Sequence, residues 1–370
     1  MPPKFGLMYY SDTGNLGDEI QSIAARQFFP TVDHWIDREH LHEFYPPNDE
    51  GVSIVLNGWF MHHAENWPPA PNILPLLISF HISTWRGGGV GLCAKDVFLE
   101  KPFAKYLQAF GPVGARDYGT LRLLRDAGID SYFSGCLSMT LPRPSVQSRP
   151  DLLVLNDVSA EVHAFVGRNT KREIVATAHG NFAPRDRVRR FEEAERLIQV
   201  YATASCVITS RIHCALPCLA LGTPVLLLHD GHDENRLGAG LEFVAHCTES
   251  EFMSGEVDFY LNDPKPNPET FRPYRNALIR SVQEFVAASA DHQRSPEFPL
   301  TLMDYANASM IQREQLSRLA LVEQKRRNDL EAKIGGLSAL LDQAENRLRA
   351  GLDNAGSISD LIHDARKIIA

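Results

Sequence analysis

Short apolar runs alternate with amphipathic stretches along most of this 370-residue chain. Phe5–Tyr10, Val52–Asn57, Leu76–Ile82 and Val113–Ala115 read as strands, and Leu152–Leu155, Glu173–Thr177, Ala204–Thr209 and Val225–Leu228 repeat the pattern further on. Between them, Glu19–Phe28 fits a helix with Ile20, Ile23 and Ala24 on one face. Ala104–Gly111, Gly119–Ala127 and Asp186–Ala202 read the same way. Strand–helix alternation of this kind is the grammar of parallel sheets. It comes in two blocks separated by the proline-rich Pro142–Pro150. The pattern predicts an α/β protein of two Rossmann-like, doubly wound domains facing a cleft, residues 1–147 and 148–295.

The remainder follows another rule. Pro264–Pro273 reads as loop, Ser281–Ala290 as helix, and from about Met310 the chain is helical and charged. Leu330, Ile334, Leu337, Leu341, Ala344 and Leu348 recur every 3.5 residues on average, the spacing of a coiled-coil seam. Gly335-Gly336 interrupts it, so a short seam is expected. Residues 300–370 are read as a helical appendage, which either joins copies of the chain through 310–350 or packs on its own chain.

Composition narrows the classes. The net charge of −9 argues against a broad electrostatic affinity for nucleic acid. No window approaches the ~18 apolar residues of a membrane span, and the N-terminus runs into strand-like sequence without a secretion signal. Six cysteines lack metal-finger spacing. Cys214 and Cys218 share one face of an apolar helix and read as buried small hydrophobes. A cytoplasmic, reducing location is expected, and nothing calls for a metal or a bound cofactor.

The polar residues that interrupt the strand ends carry the candidate chemistry. Thr209–Leu228 runs strand, turn, helix, turn, strand, and sets Arg211 and His213 where a strand hands over to a helix N-terminus. Such corners attract anions. Ser11–Glu19 follows the first strand, with Gly14, Asn15, Gly17 and Asp18 in a tight loop suited to a polar ligand. It matches neither dinucleotide nor P-loop spacing, and spacing alone favours Asp18 as a helix cap. Arg116, in Gly114–Asp117, could bind an anion bidentately or simply pair with Asp117 or Asp126 at the surface. Asn57, Trp59 and His81 stand at strand ends, where aromatics and fixed polar groups suit a sugar; a satisfied core histidine competes for His81. His62 and His63 read as loop residues. His229–Glu234 has a metal-site composition but the look of a solvated loop.

In this order the motifs resemble the polysaccharide pyruvyltransferase family. The matching pieces are Gly14-Asn15-x-Gly17-Asp18, Gly114-Ala115-Arg116-Asp117, the turn in Ser134–Pro142, and Ser210-Arg211-Ile212-His213 leading to Gly222-Thr223-Pro224-Val225. The resemblance spans roughly residues 5–245, and the family pattern is only loosely followed over Asp233–Gly238. It implies a fold similar to two-domain GT-B glycosyltransferases, and transfer of a pyruvyl group from phosphoenolpyruvate (PEP), a co-substrate, to a sugar hydroxyl pair. It further implies that Arg116, Arg211 and His213 bind the PEP anion with Gly14 and Asn15 beside them. His213 would be general acid and Asp18 the weaker candidate for base, and Asn57, Trp59 and His81 would face the saccharide. A GT-B enzyme using a nucleotide-activated sugar and a catalytically silent glycan-binding or scaffold domain are the alternatives.

Overall fold

The computed structural model describes residues 3–11, 13–48, 50–86, 92–180, 186–229, 240–257, 259–289, 299–349 and 363. The first half runs β1 (Lys4–Tyr9), α1 (Gly17–Arg26), β2 (His34–Asp37), β3 (Val52–Phe60), β4 (Ile73–Ile82), α2 (Ala94–Phe98), α3 (Lys101–Ala109), β5 (Val113–Ala115), α4 (Tyr118–Asp126) and β6 (Ser131–Phe133). Its six described strands are parallel, in the order β2-β1-β3-β4-β5-β6.

The second half runs β7 (Arg149–Asn156), α5 (Ala160–Asn169), β8 (Glu173–Thr177), α6 (Arg187–Thr203), β9 (Ala204–Thr209), α7 (Ile212–Leu221), β10 (Val225–Leu228) and β11 (Ala245–Cys247). The described strands form a parallel sheet in the order β11-β10-β9-β7-β8. Counted from its own first strand, this is the arrangement 2-1-3-4-5, which the first sheet extends by one strand. In both sheets the chain reverses direction of winding between its first and third strands, and ligands collect at the carboxyl ends there.

The expected mixed α/β architecture with two parallel sheets is present. Both sheets belong to one compact unit, Met1–Trp85 with Cys93–Ala308. The proposed cut at residue 147 falls just before β7. A single apolar cluster runs through both sheets: Leu7 and Val55 from the first, Val154 and Val207 from the second, with Ile20, Leu197 and Leu216 from α1, α6 and α7 between them. Polar ties reinforce it. Arg190 of α6 forks onto Glu19 of α1 at 2.7 and 2.8 Å, with both side chains buried, and its third nitrogen donates to the Thr13 carbonyl. The Pro142–Pro144 connection is pinned as well, because Arg143 donates to the carbonyls of Leu221 and Ala202.

Several boundaries moved for physical reasons. β3 does not end at Asn57: the register slips between Leu56 and Gly58, and Gly58, at φ +131°, lets the strand bend and continue to Phe60. The helix expected over 281–290 begins earlier, as Arg272–Ala288, with Pro273 in its first turn where a missing amide hydrogen costs nothing. β2, β6, β11, α2 and α5 were not expected; the three strands are short, edge-lying or partly polar. All six cysteines are free and buried, as the apolar setting of Cys214 and Cys218 indicates.

The second compact unit comprises Arg86–Leu92 and Ser309–Ala370. The helix Leu302–Arg349 runs through Gly335-Gly336 without a break, contrary to the expected interruption. Leu330, Ile334 and Leu341 of the heptad stripe are exposed. Among the described residues no helix is long and apolar enough to cross a membrane.

Candidate active site

The carboxyl ends of β1, β3, β4 and β5 and the first turn of α7 enclose a cavity of about 770 Å³. That lies within the range of small-molecule sites, ~300–1,000 Å³. Three helices direct their N-termini at it: α1 supplies Asp18, α4 supplies Gly119 and Thr120, and α7 supplies His213. α1 and α7 carry no side-chain cap. Aligned helix dipoles make this a setting for a negatively charged group.

His213, which lines the cavity, meets the sequence-distant Arg116, which does not. Arg116, at the end of β5, places Nη1 3.4 Å from Nε2 of His213 and donates to Gln21 Oε1 at 2.9 Å. Both Arg116 and His213 are buried. His213 also borders a small cavity of about 20 Å³ shared with Arg116, Cys136 and Phe243. Arg116 is therefore no surface arginine, although Asp117 does lie 4.0 Å from its Nε. The two halves approach closely here: a Cβ added to Gly17 would stand 2.9 Å from the His213 Cβ.

Arg211 goes elsewhere. It occupies the N-cap position of α7, but its guanidinium reaches back to Asp157 Oδ2 at 3.0 Å and is nearly half exposed. Asp157 directly follows β7 with φ +51° and also accepts the His179 amide hydrogen at 2.8 Å. His179 meets the Tyr201 hydroxyl at 2.8 Å, and burial pushes its imidazole down to about 4. The Leu16 amide donates to the His179 carbonyl, so this second corner abuts the α1 loop.

Asp18 is not the cap that spacing favoured. The N-cap is Leu16, and Asp18 lies inside the first turn of α1. Its carboxylate accepts from Gln21 Nε2 at 3.3 Å and stands 3.9 Å from Nη1 of Arg38 while lining the cavity. Asn15 lines the cavity too, and its Oδ1 accepts the Gly17 amide hydrogen at 3.1 Å. Gly14 precedes it in the same loop.

Of the acceptor-side candidates, Trp59 and His81 line the cavity as register partners on β3 and β4. Asn57 is buried and donates to the Gln21 carbonyl at 2.9 Å, which braces α1 against β3. His81 is hydrogen-bonded: its Nδ1 lies 2.5 Å from Asp117 Oδ2, and Asp117 Oδ1 caps α4 through the Thr120 amide at 2.8 Å. Burial opposes ionisation of Asp117, but His81 and Arg116 outweigh it and hold the carboxyl below its usual value.

Residues the sequence did not single out stand behind the wall. Arg38 is fully buried and lies over the Tyr10 and Trp59 rings at 4.8 and 5.2 Å. It donates to Glu39 and to the Trp59 carbonyl. Glu39 accepts from the backbone of His62 and His63. Burial would raise the Glu39 carboxyl, but the His62 hydrogen bond and the Arg38 charge hold it at about 2. His62 thus belongs to the wall, where it packs against Trp59 and Trp85 at 4.6 and 5.8 Å; His63 remains a loop residue, paired with Glu65. The available signal was a charged pair directly after a strand. Asp230–Glu234 lies outside the described residues, and among those described no group of three or more His, Cys, Asp or Glu could hold a metal ion.

A doubly wound corner lined by histidines, carboxylates and indoles, and backed by the buried Arg116 and Arg38, is the setting of an enzyme site. A family model described as polysaccharide pyruvyl transferase matches residues 15–229. The chain belongs to that family, a family of transferases that act on saccharides. No curated protein matches the sequence. Among solved structures, a functionally uncharacterized protein, KP1_0663, from Klebsiella pneumoniae subsp. pneumoniae NTUH-K2044 is similar, with 13% identity and a TM-score of 0.39 over 66% of this chain and 93% of that one. A structure of accessory secretory protein 1, 2 and 3 from Streptococcus pneumoniae has 12% identity and a TM-score of 0.30, over 81% of this chain and 58% of that one.

Proposed function

We propose that the chain transfers the enolpyruvyl-derived group of PEP to two hydroxyls of a saccharide, forming a pyruvate ketal and releasing phosphate. The observation that carries the reading is the buried Arg116–His213 contact, with His213 lining the cavity to which three helix N-termini contribute. PEP presents a phosphate and a carboxylate, and a guanidinium in a semi-enclosed site forks onto either. Arg116 and the Asn15 side chain, held by the Gly14–Asn15 loop, receive one anion. Arg211, on exchanging Asp157 for substrate, is the candidate for the other.

The chemistry balances with groups already in place. The PEP methylene carbon takes a proton from His213 and becomes the methyl group. One hydroxyl adds to the adjacent carbon, the bond to phosphate breaks, and the second hydroxyl closes the ketal. Of the two hydroxyl protons, one restores His213 and one leaves with hydrogen phosphate. Asp18 is a nearby carboxylate able to take a proton in passing, and proton transfer by a positioned side chain contributes ~10²–10⁴ in rate. Trp59, His81 and Trp85 offer the saccharide a stacking face and a polar partner. The setting is the cytoplasm, where buried thiols stay reduced.

A thermal-shift titration tests the donor. PEP should raise the melting temperature of the wild-type protein and not of Arg116→Ala. A shift with nucleotide sugars and none with PEP would replace pyruvyl transfer by glycosyl transfer, and no shift with either would favour a silent glycan-binding domain.

A further inference from the structure

The proposed transfer removes two hydroxyl protons, and the side chain that takes the first must sit on the saccharide side of the cavity. Asp18 is a constrained candidate, held by Gln21 and close to buried Arg38. His81 is differently placed. It faces the cavity beside its register partner Trp59. Trp85, 59% exposed, lies 6.4 Å from the Trp59 ring and extends the aromatic wall outward. His213 stands with Arg116, where the donor anion is expected.

We propose that His81 removes the proton from the attacking saccharide hydroxyl, and that Asp117 is the positioning residue that keeps the imidazole lone pair on Nε2. A carboxylate accepts only, so the contact between His81 Nδ1 and Asp117 Oδ2 at 2.5 Å fixes the ring proton on Nδ1. The other Asp117 oxygen is committed to the Thr120 amide, and the Thr120 hydroxyl lies 3.3 Å from the same Nδ1. The carboxylate therefore cannot swing away without uncapping α4. Once His81 accepts a proton, the neighbouring negative charge stabilises the imidazolium, the logic of a base oriented by a buried acid.

The step balances within the reaction described above, on which this assignment rests. The O–H bond breaks and its electron pair forms the new C–O bond, while His213 protonates the methylene carbon. The hydroxyl proton rests on His81 until it leaves with phosphate. Among the described residues, the ionisable groups around His81 include Asp117 and, behind it, Arg116, with Asp18, His62, Arg122 and His213 on the cavity wall.

Two measurements on the full chain test this. Nitrogen-15 NMR of histidine-labelled protein, with His81→Gln to assign the signal, should show neutral His81 protonated at Nδ1. Asp117→Asn, which can still cap α4, should release that preference. A neutral wild-type His81 protonated at Nε2 overturns the proposal without any substrate. Transfer assays with PEP and p-nitrophenyl glycosides of the common hexoses form the second arm. His81→Gln should lower kcat by ~10²–10⁴ while keeping the PEP thermal shift, and should lose the acid limb of the pH–rate profile. Asp117→Asn should lower kcat less and move that limb. A His81→Gln protein within about three-fold of wild-type kcat overturns the assignment. A hydroxyl proton must leave whichever donor is used. Wild-type turnover of a nucleotide sugar but not PEP would thus sink the donor reading alone, and His81→Gln would be judged on that reaction.

Discussion

The two sheets share one winding order and use its crossover point in opposite ways. At the first, Asp18, Trp59, His81 and Asp117 turn toward a cavity of about 770 Å³. At the second, Asp157, His179 and Arg211 turn toward one another, and His213 is its contribution to that cavity. A fold that offers the same corner twice need not place chemistry at both. One corner here is open and charged; the other is knitted shut and braces the first through Leu16 and His213.

The largest expected break in this contrast is functional. His213→Ala and Arg116→Ala should each lower pyruvyl transfer by ~10²–10⁴, with circular dichroism and melting cooperativity little changed. Near-wild-type turnover by His213→Ala would leave Arg211 as the second sheet's only proposed contact with the substrate.

The corners should also differ in acid. Glu39, at about 2 when folded, steadies the first sheet above its unfolded value near ~4.5, and that contribution is lost as pH falls from there toward 2. His179, neutral and at about 4 when folded, steadies the second above ~6.5, and its share is lost between about 6.5 and 4. Each amounts to on the order of 3 kcal/mol. Denaturant unfolding across pH should show His179→Gln flattening the upper window and Glu39→Gln the lower. A single window removed by both variants would mean the corners titrate as one.

A smaller effect probes the contact between halves. Gly17→Ala introduces a Cβ 2.9 Å from that of His213, so α1 or α7 must shift. Turnover should fall about ten-fold, because small misplacements at the chemistry are costly, with about 1–3 kcal/mol lost in stability. An unchanged kcat would show that the spacing of α1 and α7 is not what sets the site.

The periodic parts of the chain foretold much of this. Ala204–Thr209 and Val225–Leu228 were legible to the residue because buried parallel strands are continuous apolar runs. The open corner was legible in Asp18, Trp59, His81 and His213, polar residues where strands end. Arg38 and Glu39 were not, since a buried ion pair reads in sequence as a solvated charge run. The placement of Arg211 was not either, because strand-end position fixes a backbone and leaves a long side chain to choose among carboxylates. Nor could spacing show Asp117 serving both His81 and a helix cap.

The Arg190–Glu19 fork has a mechanical consequence. It clamps α6 to α1 across the shared apolar cluster, and swinging the sheets apart would expose that cluster and strip a buried ion pair of its partner. Opening of the two sheets as hinged halves is therefore opposed, which leaves adjustment around the cavity to side chains and loops.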